Sequence, residues 1–241
     1  MRYMKIALIG YGKMGHEVEI VALARNHQIV LKIDKNNPSD LTPVNLKNVD
    51  VAIEFSTPST AYQNVKSCLE SRTPVVVGTT GWLDKLEEIK KTAITANTAL
   101  FYASNYSIGV NLFFRMNKVL AEYINKVRGY SPSITEIHHT QKLDAPSGTA
   151  ISLAQIVTNS IDELKGWTLL PEKDSSKIPI EAVREGSVPG THVLTYDSEQ
   201  DEIIFTHKAK NRKGFALGAV LAAEFLVGKV GFYTMDDLLK F

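Results

Sequence analysis

Cysteine is almost absent from this chain, which carries one, Cys68, in 241 residues. A lone thiol forms no internal disulfide, and its place in Ala61 to Leu69, where apolar residues recur at helical spacing, predicts a core thiol in a reducing compartment rather than a reactive one. An excess of either charge is also missing. Lys and Arg total 27 against 26 Asp and Glu, so a net charge of +1 supports neither nucleic-acid binding nor an electrostatic membrane anchor, and any anionic ligand has to be held by local groups. Long hydrophobic runs are lacking too. The brief apolar stretch Ile6 to Ile9 meets a glycine and is too short for a signal-peptide core or a bilayer span, which makes the cytoplasm the expected location. There is no internal repeat, low-complexity tract or disordered charge block. What is present is a length sufficient for one large domain or two modest ones, each with its own core.

The first half alternates short β-branched runs with helical patterns, the signature of βαβ units and a parallel sheet. Strands are expected at Lys5 to Ile9, Ile29 to Ile33, Val51 to Phe55, Val75 to Val77 and Leu100 to Tyr102. Helices are expected around Met14 to Arg25, Ser59 to Glu70 and Leu83 to Ala93, the second opened by Thr57 as N-cap and Pro58 at the first helical position. From Ser107 the texture changes: a long helix, Val110 to Lys126, precedes strand-like runs at Ile134 to His139, Ile180 to Arg184, Val193 to Tyr196 and Ile203 to Thr206, with a hairpin turn at Ser198 to Asp201. A last helix, Phe215 to Leu226, carries so little polarity that it should be buried against the N-terminal sheet. These patterns predict an α/β Rossmann-type dinucleotide-binding domain, residues 1–106 plus 215–241, with an α+β substrate-binding domain, residues 107–214, inserted in it.

Gly10-Tyr11-Gly12-Lys13-Met14-Gly15 follows the first strand directly and opens the first helix, the context that the G-x-G-x-x-G fingerprint requires. Gly10 permits the tight turn, Gly12 lets a pyrophosphate approach the backbone, and the helix start offers free N–H groups. Asp34 ends the second strand, 19 residues beyond Gly15, where its carboxylate can accept from ribose hydroxyls. Lys35 beside it could offset part of the repulsion of a 2′-phosphate, so use of NADH or NADPH is expected, with some preference for NADH. Two further loops, Gly78-Thr79-Thr80-Gly81 and Ala103-Ser104-Asn105-Tyr106, fall at carboxyl ends of predicted strands, where ligands of open α/β sheets bind.

The segment from Glu136 to Ala150, EIHHTQKLDAPSGTA, runs from a strand through a polar loop into a helix. Glu136 and His138 share one strand face, and His139 takes the other unless the strand is already ending. Gly148 and Thr149 stand where a helix begins, so backbone N–H groups and a hydroxyl can meet an anion there. Glu136 with two histidines lacks a third ligand at a usual spacing and any nearby cysteine, so no metal is expected. Taken singly, Lys142 reads as a solvated loop lysine and His139 as a structural histidine. Clustered beside an anion-binding helix start, they read better as recognition of a carboxylate next to a proton donor.

This segment resembles the signature of the 4-hydroxy-tetrahydrodipicolinate reductases of lysine and diaminopimelate synthesis, E-x-H-H-x-x-K-x-D-A-P-S-G-T-A, at every fixed position. The likeness extends to the glycine loop with its Met-Gly ending, to Gly78-Thr79-Thr80-Gly81, to Ser104 through Asn111, to Arg184, Gly186, Gly190 and His192, and to His207 through Gly218. One departure is visible, a first turn one residue shorter than the family's common G-x-x-G-x-M-G. The resemblance implies His138 as general acid, Lys142 as its cationic partner, and His139, Gly148 and Thr149 as substrate contacts. It also implies a small cyclic dicarboxylate substrate and a homotetramer built through the inserted domain's sheets. The competing expectations are another two-domain amino- or keto-acid dehydrogenase, or a nicotinamide-sensing module without catalysis.

Overall fold

The computed structural model of the chain describes Tyr3–Lys240. Its first half runs β1 (Lys5–Ile9), α1 (Lys13–Ala24), β2 (Gln28–Ile33), α2 (Pro43–Leu46), β3 (Val51–Glu54), α3 (Pro58–Glu70), β4 (Val75–Val77), α4 (Leu86–Thr95) and β5 (Ala99–Tyr102). Then follow α5 (Ile108–Val127), β6 (Ser131–His138), α6 (Gly148–Ser160), β7 (Trp167–Leu169), β8 (Ile178–Arg184), β9 (Thr191–Asp197) and β10 (Glu202–Lys208). The chain closes with α7 (Lys213–Leu226), β11 (Gly231–Tyr233) and α8 (Met235–Leu239). Two compact units result, one of residues up to Ile108 together with those from Arg212, the other of Gly109–Asn211.

In the first unit six strands form a parallel sheet in the order β11-β5-β4-β3-β1-β2. Both faces of the inner strands are covered, which is why β1, β3 and β4 read as apolar runs, while the edge strand β2 alternates between half-buried and exposed residues. Ile6, Leu8, Val51, Ile53, Val76 and Phe101 point to the side covered by α1 and α7. Their alternate neighbours Ala7, Ile9, Ala52, Val75, Val77 and Leu100 meet α3 and α4 on the other side. Cys68 lies in that second layer, fully buried, and burial pushes its thiol well above its ordinary range. α7 needs its low polarity, since Ala216, Ala219, Val220, Ala223 and Leu226 are all buried. Burying Val220 and Leu226 alone contributes about 2 kcal/mol each.

The second unit holds a mixed five-stranded sheet, β10-β9-β6-β8-β7, with α5 and α6 on one face. The alternation of β6 sets what that face carries. Ile134 packs with Leu194, Ile180, Leu153 and Phe113, while the next two residues in phase, Glu136 and His138, continue the same buried row. The face is therefore apolar over most of its length and polar where α6 begins.

Candidate active site

The cleft of the first unit lies where the sheet order reverses, between the carboxyl ends of β1 and β3. Its volume is about 550 Å³, and its walls include Gly10, Gly12, Asp34, Lys35, Ser56 and Thr57. Gly10 has φ +90, and a Cβ there would stand 2.0 Å from the Phe55 carbonyl oxygen, so the tight turn demands glycine. Gly12 is different. It caps α1 in an extended conformation, and nothing in the protein lies within 4 Å of the position a Cβ would take. Open space over free helix N–H groups is what a pyrophosphate needs, and it survives the shortened turn. The residues present therefore fit a dinucleotide.

The other residues assigned to this site divide by what their side chains already do. Tyr11 reaches away from the loop, its hydroxyl bonded to Glu19 and to the Lys32 ammonium at 3.1 Å, so its contribution to the cleft is backbone. Lys13 is exposed and Met14 half-buried against the core. Asp34 stands at the end of β2, one carboxylate oxygen receiving the Asn36 N–H at 2.7 Å, with Lys35 exposed beside it. The Thr79 hydroxyl accepts from the Ser56 N–H at 2.9 Å, Thr80 and Ser104 are exposed, Ala103 is buried, and Asn105 Oδ1 accepts from Ser107 N–H at 2.9 Å. Tyr106 is committed to the core, its hydroxyl donating to the Val77 carbonyl at 2.8 Å. Beneath this loop cluster sits Glu54, a buried carboxyl that sequence reading passed over. It accepts from the Ser56 N–H at 3.0 Å, and burial raises its pKa above the ordinary range.

In the second unit, Glu136, His138, His192 and Arg184 converge because of strand register. β6 pairs antiparallel with β9, placing Glu136 opposite His192, and parallel with β8, placing His138 opposite Arg184. Glu136 is fully buried and accepts from His138 Nδ1, from Arg184 Nη2 at 2.8 Å and from the Ser147 N–H at 3.1 Å. Burial alone would raise its pKa, but the bonds from His138 and Arg184 win and hold it at about 2. With Nδ1 spent on Glu136, His138 has Nε2 left for chemistry. Gly190, at φ +152, crosses close below, and any Cβ there would sit 3.0 Å from that nitrogen.

The loop after β6 is fastened to this cluster. Arg184 Nη2 also donates to the Asp144 carbonyl at 2.6 Å, and Lys142 Nζ pairs with the Asp144 carboxylate at 2.8 Å. Ser147 is the N-cap of α6, its Oγ accepting from Ala150 N–H at 3.2 Å. Gly148 is exposed and, like Gly12, has nothing within 4 Å of its absent Cβ, while Thr149 follows in the same first turn. His139 lies just past the strand end, half-buried, its N–H bonded to the Val188 carbonyl at 2.9 Å. The register also supplies the third ligand-type side chain that the sequence spacing lacked: Glu136, His138 and His192 bring their ligand-type atoms within 4.8 Å of one another. In this structure those groups are engaged in hydrogen bonds, the Arg184 guanidinium lying on the flank of Glu136 and His192 Nε2 bonded to Ser147 Oγ at 3.1 Å. Arg184, His192 and Ser147 entered the sequence reading only as positions of the family likeness, without a site role; strand register and the cap show what they touch.

Comparison with known proteins follows this geometry. The profile described as dihydrodipicolinate reductase, N-terminus, matches residues 4–106, and that of the C-terminus matches residues 109–239. A 4-hydroxy-tetrahydrodipicolinate reductase of Christiangramia forsetii is 49% identical over 237 residues, spanning 98% of this chain and 98% of its own length. One of Staphylococcus aureus is 36% identical over 250 residues, spanning 98% of this chain and 100% of its own length. Among solved structures, a dipicolinate-bound dihydrodipicolinate reductase from Paenisporosarcina sp. TG-14 has the same fold, with a TM-score of 0.79 over 97% of this chain and 98% of that one at 23% identity.

Proposed function

The chain belongs to the dihydrodipicolinate reductase family, and we propose that in its reaction His138 delivers the proton, Lys142 supplies the cation and the first turn of α6 holds a substrate carboxylate. The activity is reduction of 4-hydroxy-tetrahydrodipicolinate, an oxidoreductase step of lysine and diaminopimelate biosynthesis, in a family that uses NAD(P)H. Among the described residues no helix is long and apolar enough to cross a membrane.

The observation that carries the site assignment is the buried Glu136–His138 pair beside an open helix start. A bound nicotinamide would supply the hydride: 4-hydroxy-tetrahydrodipicolinate loses its hydroxyl as water to give the unsaturated imine, which a hydride and a proton then convert to tetrahydrodipicolinate. Hydride addition leaves enamine character, and carbon must then be protonated; His138 Nε2 is the nitrogen oriented for that transfer. Glu136 fixes the ring through Nδ1 and leaves Nε2 for substrate. Lys142 neutralises a carboxylate and developing charge, exchanging its pairing with Asp144 for one with substrate. Gly148 and Thr149 offer backbone N–H groups and a hydroxyl to a carboxylate at the α6 start, with His139 bordering the same site. Cofactor oxidation followed with the cyclic substrate generated in situ tests the function. Turnover competed by pyridine-2,6-dicarboxylate is expected; cofactor oxidation indifferent to that dicarboxylate would overturn the site.

For the cofactor, the proposal is use of both NADH and NADPH with some preference for NADH, held by residues 10–14, by Asp34 and Lys35, and by the loops 78–80 and 103–106. Asp34→Ala removes acceptors for the ribose hydroxyls while relieving repulsion of a 2′-phosphate. It is expected to weaken NADH by about tenfold and NADPH less, with Lys35→Ala doing the reverse. Dissociation constants for both cofactors decide this, and an equal loss of both after Asp34→Ala would mean the ribose site is misplaced.

The family resemblance implies a homotetramer, and we propose that the sheet of the second unit carries its contacts. The face turned away from α5 and α6 carries Thr135, Ile137, Val193, Thr195 and Ile204, partly or largely exposed in the single chain, and Ile204 is 54% exposed. Such a face is covered by copies of itself more readily than by water. Light scattering is expected to return four times the chain mass, and a monomer mass would reject the assembly.

A further inference from the structure

His192 is 4% exposed and lies between His138 and the cap of α6. It faces Glu136 across the sheet, its ring stands edge-on to His138 with centroids 5.2 Å apart, and its Nε2 lies 3.1 Å from Ser147 Oγ. Ser147 is in turn the cap of α6, accepting from Ala150 N–H and donating its own N–H to Glu136. We propose that His192 is a positioning residue for substrate: its imidazole hydrogen-bonds Ser147 and so fixes the first turn of α6, where the carboxylate binds, relative to His138. The proposal rests on the assignment of that turn as the carboxylate site.

Neutrality follows from the surroundings. Burial first, then the neighbouring His138, push the His192 pKa down to about 4, with His207 and Lys142 adding to the effect and Glu136 opposing it. The Glu136 carboxylate is bonded to His138 Nδ1 and not to His192. Nδ1 of His192 is buried without a partner. The Nε2–Oγ bond forms in either tautomer, the ring or the Ser147 hydroxyl donating, and in both it ties His192 to the cap of α6.

Three variants and a cycle test this. His192→Leu deletes the hydrogen bond to Ser147 and is expected to raise KM for the cyclic substrate, and the dissociation constant of pyridine-2,6-dicarboxylate, by about tenfold or more while kcat changes less. His192→Gln places an amide N–H near the Nε2 position and should recover most of that loss, whereas the shorter His192→Asn should not. In the Ser147→Ala background the Leu substitution should add little, because the bond it removes is already gone. Should His192→Leu fail to fold by circular dichroism, the Gln and Asn pair carries the same contrast. Additive effects of the Ser147 and His192 changes, equal losses in Gln and Asn, or a fall in kcat with KM unchanged would each overturn the proposal. Thr149→Val measured alongside separates the two levels: if it leaves dicarboxylate affinity intact, the carboxylate site itself is wrong, and if it weakens binding while His192→Leu does not, only the role of His192 falls.

Discussion

His138→Gln is expected to lower kcat by roughly two to four orders of magnitude, the usual range for a general acid, with cofactor affinity little changed. Glutamine can still bond Glu136, so the buried carboxylate keeps a partner and the sheet face keeps its packing. What glutamine lacks is a proton to give at neutral pH. The glycine loop and Asp34 belong to the other unit, which is why the cofactor dissociation constant should hold. Lys142→Ala provides the contrast. A charge-assisted contact made in the ground state and strengthened as charge develops should damage both KM and kcat. Steady-state kinetics with a cofactor titration of each variant separates them, and a near-normal kcat for His138→Gln would move the proton donor to His139, Lys142 or water.

How much of this was readable in advance depended on whether the signal was local. The glycine turn, Asp34 and the start of α6 are set by neighbours in sequence, so their motifs carry their geometry. β1, β3 and β4 were legible because burial on both faces leaves runs of apolar residues, as in Ile6 to Ile9. β7 (Trp167–Leu169) and β11 (Gly231–Tyr233) are as short as β4 but lack its unbroken β-branched run, and α8 has five residues, so these three went unread. The Arg184–Glu136 and His192–Ser147 contacts depend on which residue of β8 or β9 faces which residue of β6, and a shift of one position would send those side chains to the other face. The Lys142–Asp144 pair was hidden for another reason: a loop has no periodicity, so neighbours in sequence need not be neighbours in space. Gly190 showed only as a match to the family pattern, and its purpose emerges once His138 is seen above it.

Glu136 should prove the most sensitive single position for stability, and its effect should depend on acid. Its ionised carboxylate is fully buried between three donors, and its pKa is lowered from 4.5 to about 2. A carboxyl with a depressed folded-state pKa contributes stability that is fully present above about pH 4.5 and is lost as the pH falls toward about 2, because the unfolded chain binds the proton first. The lowering corresponds to roughly 3 kcal/mol. In Glu136→Gln the Arg184 guanidinium, only 19% exposed, loses its counter-charge, and breaking such a pair costs about 3–5 kcal/mol. Urea unfolding at a series of pH values is therefore expected to show a less stable variant at neutral pH, with the gap to the parent narrowing between about pH 4.5 and 2 as the parent's own Glu136 protonates. Turnover should fall with it even where the variant is fully folded, since His138 has lost the carboxylate that orients Nδ1. A constant gap across that pH range would show that Glu136 is neutral in the folded protein, and the ionised relay from Arg184 through Glu136 to His138 would have to be abandoned.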